Sequence, residues 1–306
     1  MFIKLKLVYW LLLGVSLSGC VTTHKSSDLN AYNPECLMAT ESVQVLLLND
    51  NNYQWRVQVE VNGIPGTFIL DTGSDCTIIT PQFARKLGLL DNAKAGRLVS
   101  HDSKSGKVRF ADITSLHMAD VDYIGFYAPI LDLDHINRAL NTEVAGILGN
   151  NLLNKTAWQI DWRRNTLTLK SLSSEPPPDA IPIVIRHNRI YLTVLVNGRP
   201  TEFALDTGAY RSVLAHKELA RLQIPADKRS EINAPKIDIK GAQYFKQTQV
   251  QLDSFQVGPI QRTDFFMLTW DHNALGMDLL SSWILKVDAR HRWLSLTDPD
   301  ATSTPH

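Results

Sequence analysis

The chain of 306 residues has only three cysteines, and its nine histidines show neither HExxH nor CxxC spacing. That scarcity argues against a dedicated zinc site. No long block of one charge sign occurs, and Lys+Arg balance Asp+Glu at 31 each. A basic footprint for nucleic acid is therefore not expected. The longest leading apolar run, Leu7 to Leu17, falls short of the roughly 20 residues that span a bilayer. Nothing in the composition calls for a metal or a cofactor. A hydrophobic fraction of 44 % does allow a large buried core, and the length allows two lobes.

The N-terminus reads as a targeting segment. Lys4 and Lys6 precede the apolar run, and small residues close it. The ending Leu17-Ser18-Gly19-Cys20 resembles a bacterial lipobox, which implies a signal peptide over 1–19 and a lipid on Cys20. Val21 follows the cysteine rather than an acid, a pattern that resembles outer-membrane lipoproteins facing the periplasm. The protein is thus expected to be anchored to a bacterial envelope membrane rather than to span it. Residues 20–50 are expected to form a tether, most plainly over the Ser/Thr/Asn/Lys-rich 21–33. A disulfide between Cys36 and Cys76 and a free thiol at Cys36 are both compatible with that compartment.

"SLSSEPPPDAIP", residues 171–182, contains three consecutive prolines that cannot sit inside a sheet. It divides the body into a first lobe, 51–170, and a second, 183–298, with 299–306 as a tail. The two lobes repeat each other. Residues 57–89 and 192–224 align without a gap at an offset of 135, with 11 of 33 positions identical. Chance gives about two, at roughly 6 % random identity. Later, "ILGNNLL" (147–153) matches "ALGMDLL" (274–280), and "WQIDWRRNTLTL" (158–169) matches "LKVDARHRWLSL" (285–296).

Within the repeat, Val57, Val59 and Val61 alternate as in a half-buried strand. Asn62-Gly63 and Asn197-Gly198 are hairpin turns. Each returning strand ends in "LDTG". "PQFARKLGL" and "HKELARLQI" read as short helices. The expectation is an all-β protein with one or two short helices per lobe.

Duplicated lobes tend to pack about a pseudo-two-fold axis, which would bring Asp71 and Asp206 face to face. Two such carboxylates share one proton and can act as a general acid–base pair on an amide. Gly73 and Gly208 let backbone approach them. Thr72 and Thr207 have hydroxyls able to bridge the axis. Ser74 is expected to hydrogen-bond Asp71, and its counterpart Ala209 has no group to do the same. Asp161 and Asp288 also recur, but read as hairpin turn residues. Trp158, Trp162, Trp283 and Trp293 read as packing residues.

Two apolar-Asp-Thr-Gly-[Ser/Ala] loops, each followed by an apolar-apolar-Gly, resemble the aspartic peptidases of the pepsin/retropepsin clan. "GILGNNLL" is similar to the segment that closes a retropepsin subunit. The resemblance covers about 51–298 and implies two β-barrel lobes with a cleft between them. It implies that Asp71 and Asp206 are catalytic, that Gly149 and Gly276 let a strand pass beside each Asp loop, and that hairpin flaps cover the cleft. Gly106 and Gly241 are the expected flap tips. The substrate would be a polypeptide bound extended, and the protein a monomer built as an internal pseudo-dimer. Scarce cysteine and the second loop's DTGA depart from pepsins and look closer to two fused retropepsin subunits. DTGA members of the family suggest activity toward mildly acidic or neutral pH. A catalytically silent peptide-binding module of the same fold is the alternative. A paired-carboxylate glycosidase is a distant third, because its acids sit on unlike elements.

Overall fold

The computed structural model describes residues 12–13, 34–49, 54–99, 105–171, 175–238 and 241–300. The leader 1–19 (Leu12 and Leu13 excepted), Cys20, the segment 21–33 and residues 301–306 lie outside the described residues.

Each lobe is built around the alternating strand, turn and strand expected from sequence. In Arg56–Val61, the residues Val57, Val59 and Val61 are buried while Gln58 and Glu60 are exposed. Asn62 and Gly63 both take positive φ (47° and 79°), as do Asn197 and Gly198 (48° and 72°). That is the geometry a two-residue hairpin needs to match strand twist. The asparagines do more than tolerate the conformation. Asn62 Oδ1 accepts the N–H groups of Thr114 and Ser115, and Asn197 Oδ1 accepts that of Ser254. Each turn is thereby stitched to a neighbouring strand.

The returning strands, Ile64–Leu70 and Arg199–Leu205, run into the Asp loops. Beside their ends, Gly146–Leu148 and Ala274–Leu275 pair in parallel, Leu148 with Leu70 and Leu275 with Leu205. The chain then turns into short helices, Asn150–Leu153 and Met277–Leu280.

One antiparallel sheet joins the lobes. Its order is Ser42–Leu48, Thr166–Lys170, Ala157–Asp161, Ile284–Asp288, Trp293–Thr297 and Ile181–Arg186. The central pair, with Ala157 opposite Asp288 and Ile160 opposite Leu285, crosses between lobes. Leu167, Trp158, Ile160, Leu285, Val287, Leu294 and Leu296 point from it into a single apolar core shared by both lobes. Asp161 and Asp288 close their hairpins by accepting backbone N–H groups, Asp161 from Arg163 and Arg164, Asp288 from His291.

Several expectations need correction. The tether expected over 20–50 is strand from Glu35 onward, because Glu35–Met38 pairs with Val121–Ile124 and Ser42–Leu48 edges the shared sheet. Alternate apolar residues at Val45 and Leu47 drive that folding. The segment 171–182 ends as strand, Ile181 and Pro182 pairing with Leu294 and Trp293 at the sheet edge, where a proline is tolerated. Among the described residues the first lobe has three short helices, Pro81–Lys86, Asp134–Leu140 and Asn150–Leu153, where one or two were expected. In the expected tail, Asp300 is held by Arg163 at 2.6 Å. Cys36 and Cys76 are not bonded to each other.

A shared core makes the lobes unfold as one unit. Trp158, 2 % exposed at the centre of the shared sheet, should cost about 3–5 kcal/mol when replaced by alanine. Thermal denaturation followed by far-UV and tryptophan signals should show one transition at a lower midpoint. Two separated transitions would contradict a common core.

Candidate active site

The two Asp loops lie against each other at the lobe interface. Asp71 is 1 % exposed and Asp206 2 %. Each aspartate's N–H donates to the parallel strand beside it, Asp71 to Leu148 (3.1 Å) and Asp206 to Leu275 (3.0 Å). Gly149 and Gly276 are where those strands clear the loops. A Cβ on Gly149 would stand 2.4 Å from the Cys76 carbonyl oxygen, and one on Gly276 2.5 Å from the Arg211 carbonyl carbon. Their N–H groups donate to Thr77 Oγ1 and Ser212 Oγ.

Thr72 and Thr207 reach across the axis in a matched set. The Thr72 N–H donates to Thr207 Oγ1 (3.0 Å), and the Thr207 N–H to Thr72 Oγ1 (2.9 Å). Each hydroxyl then donates to the opposite lobe, Thr72 to the Leu205 carbonyl and Thr207 to the Leu70 carbonyl, both at 3.0 Å. The accepting carbonyls belong to the residues just before the aspartates. The grip therefore fixes the position of both carboxyl groups.

Gly73 and Gly208 complete the contact. A Cβ on Gly73 would lie 2.4 Å from Asp206 Cγ, and one on Gly208 2.5 Å from Asp71 Cγ. Only glycine lets each loop pack on the opposing carboxyl group. The two carboxyl groups are thereby close enough to perturb each other's ionisation. Burial, then the Asp206 charge beside it, hold the Asp71 carboxyl well above the usual carboxylate range. Burial raises Asp206 too, while Arg189 and the N–H groups of Ala209 and Gly208 oppose that rise. Asp206 Oδ1 accepts both those N–H groups, at 2.9 and 3.0 Å. Asp71 Oδ1 accepts that of Gly73, at 2.7 Å. The better-donated carboxylate is the one suited to carry the charge.

The expected bond from Ser74 to Asp71 is not formed. Ser74 Oγ donates instead to the Cys76 carbonyl at 2.8 Å, two residues on, closing the loop on itself. The asymmetry of the pair comes from the backbone donors rather than from Ser74.

A further asymmetry was not foreseen in the sequence. Arg189 of the second lobe is 3 % exposed and forms an ion pair with Asp75 at 2.7 Å. Its Nη2 donates to the Gly73 carbonyl at 2.5 Å. At the mirror position, Gln54 Nε2 donates to the Gly208 carbonyl at 3.0 Å. Tyr210 stands where Asp75 stands in the first lobe. Gln54 and Arg189 are related by the same 135-residue offset, three residues before the repeat as aligned. Extending that alignment would have paired them. Behind each loop, Asn151 Oδ1 accepts from Thr77 N–H and hydroxyl, and Asp278 Oδ1 from Ser212 N–H and hydroxyl. Asn150 Nδ2 adds a bond to the Thr72 carbonyl at 2.6 Å that Met277, its counterpart, cannot make.

The expected flap positions fall on two hairpins. Lys94–Val99 pairs with Ser105–Met118, and Gly106 lies opposite Leu98. Gly106 is therefore within the returning strand and not the tip, which falls in 100–104, outside the described residues. Arg229–Asp238 pairs with Gly241–Val257, and Gly241 lies opposite Asp238, directly after the connection at 239–240. The second hairpin touches helix Asp134–Leu140 of the first lobe, so it reaches across the cleft.

A family model described as an aspartyl protease matches residues 57–152. A second, described as a gag-polyprotein putative aspartyl protease, matches residues 192–282. Among solved structures, a retropepsin-like aspartic protease from Rickettsia conorii is 21 % identical. That match covers 46 % of this chain and 96 % of the other, with a TM-score of 0.34. No curated protein matches the chain.

Removing Arg189 leaves Asp75 buried without its cation. Arg189→Met should cost about 3–5 kcal/mol, and adding Asp75→Asn should recover part of it. Gln54→Leu should cost about 1–3 kcal/mol, the toll of one buried carbonyl losing its donor. Urea denaturation of the three variants beside the wild type measures this, and equal costs at the two ends would contradict the asymmetry.

Proposed function

We propose, for a chain that belongs to the pepsin/retropepsin-type family of aspartyl proteases, that it is an endopeptidase acting through a water held between Asp71 and Asp206. The observation that supports this most is the mutual packing of the two Asp loops, with each loop glycine against the opposing carboxyl group and both carboxyl groups buried. Asp206 as carboxylate takes a proton from the attacking water. Asp71 as carboxylic acid gives its proton to the scissile carbonyl oxygen. The tetrahedral diol then collapses, its proton passing to the leaving nitrogen and the peptide C–N bond breaking. The reaction consumes one water and regenerates the singly protonated pair. An extended peptide would lie in the cleft as an added strand, with the hairpins closing over it.

Cleavage requires one proton on the pair, so activity follows a bell-shaped pH profile bounded by the two apparent pKa values of the pair. With both groups raised, that bell lies at higher pH than two ordinary carboxylates would give. Stability carries the matching sign. The folded Asp71 holds its proton above the unfolded value of about 3.9, so its stabilising contribution is full below that pH. The contribution is lost as pH rises through the folded pKa. Asp71→Asn should abolish peptide cleavage, keep the fold and flatten the loss of thermal stability that sets in as pH rises above about 4. Asp206→Asn should abolish cleavage as well. Turnover in either variant, measured on a peptide library, would overturn the mechanism.

The leader supports placement in a bacterial cell envelope, with Cys20 lipidated and the body on the periplasmic side of the outer membrane. Cys20→Ala should move the protein from the membrane pellet to the soluble fraction on cell fractionation. Retention in the pellet would contradict the anchor.

A further inference from the structure

Taking the chain as a protease, as above, we propose that Gln247 makes the second-lobe side of the cleft select a substrate residue with a carboxamide side chain. Gln247 is 6 % exposed, and neither its Nε2 nor its Oε1 has a hydrogen-bond partner among the described residues. Burying a polar group without partners is unfavourable, and folded proteins carry few such groups.

Its position explains what could satisfy it. Gln247 lies on the hairpin that reaches across to the first lobe, directly opposite Ile232. Gln249, two residues on, lies opposite Leu268. Strand alternation therefore puts Gln247, Ile232, Leu268 and Trp270 on one face. That face belongs to a small apolar cluster with Val213 and Ala274, separate from the main core. Leu214 points into the main core, so Val213 beside it faces the opposite way. Val213 closes the Asp206 loop, and Ala274 pairs with it just before Gly276. The amide thus belongs to the hairpin that reaches across to the first lobe, on the face of an apolar wall whose Val213 follows the Asp206 loop.

The first lobe has no such group. There Gly96 lies opposite Val108 and Phe110 opposite Pro129, in the register of Ile232–Gln247 and Gln249–Leu268. Val108 is the counterpart of Gln247, and Ile78 and Ile147 are those of Val213 and Ala274. Among the described residues, these first-lobe counterparts are all apolar, while the second lobe holds one amide whose donor and acceptor are both unsatisfied. An asparagine or glutamine side chain satisfies both at once, and an aliphatic one satisfies neither. A site built this way rejects the partner lacking the polar group far more strongly than an apolar pocket rejects a change of size.

The experiment is cleavage of a peptide library by the full chain, with sites mapped by mass spectrometry. The wild type should favour Asn or Gln at one position on one side of the scissile bond, and aliphatic residues at the mirror position. Gln247→Val, which copies the first lobe, should lower the Asn-over-Val ratio of kcat/KM at that position at least about tenfold. Val108→Gln should raise the same ratio at the mirror position, and remains informative if Gln247→Val fails to fold. Cleavage by both variants with the wild-type profile would overturn the role of Gln247 and leave the protease intact. No cleavage of any peptide by the wild type would overturn the protease reading and this one with it.

Discussion

The structure depends on the contact between two loops that have almost no side chain to spare. Thr72 and Thr207 exchange four hydrogen bonds across the axis, and Gly73 and Gly208 give the opposing carboxyl groups room. Each hydrogen bond contributes about 1 kcal/mol net. Their greater effect is positional, because two carboxyl groups this close and this buried would otherwise separate or draw in water. The cost of holding them is met elsewhere, by the shared sheet and the core beneath it. Charge sits at the axis, and apolar burial sits below.

Around that symmetric centre the two halves diverge. An ion pair, Arg189 with Asp75, clamps the first loop, while a neutral amide, Gln54, clamps the second. Asp206 receives two loop N–H groups where Asp71 receives one. Together these make the surroundings of the two carboxyl groups unequal, with Asp71 held well above the usual carboxylate range and Asp206 raised against more donors. A dimer of identical subunits places the same residues at both ends of its axis. A single chain with two unlike halves is free of that constraint, and this one uses the freedom at Arg189, at Asn150 against Met277, and at Gln247 against Val108.

Much of this was legible in the sequence, for a physical reason. The Asp-Thr-Gly loops, the Asn-Gly turns and the Leu-Gly strands are local features with narrow backbone requirements, so their residue types announce them. The duplication made a lone DTG triplet meaningful. What the sequence did not reveal depends on distance in space. Ser74 was expected to serve Asp71, but a carbonyl two residues away was nearer. Gly106 was placed at a hairpin tip by the 135-residue offset that matches it to Gly241, but in these strands the lobes correspond at an offset of 139, Leu116 with Phe255, so Gly106 lies inside the ladder opposite Leu98. Glu35–Met38 and Ser42–Leu48 looked like tether because each is short, and they are strands because long-range partners await them. Arg189 carried no motif at all, and its role appears only when the lobes are brought together.

The central claim is that Asp71 and Asp206 form one proton-sharing unit. The direct measurement is a pH titration of their side-chain carboxyl carbons by 13C NMR, using full chain labelled at aspartate, with Asp71→Asn and Asp206→Asn to assign the signals. The account predicts coupled, two-step curves, with one carboxyl group staying protonated well above the ordinary aspartate range. Two independent single-step titrations near pH 4 would contradict it.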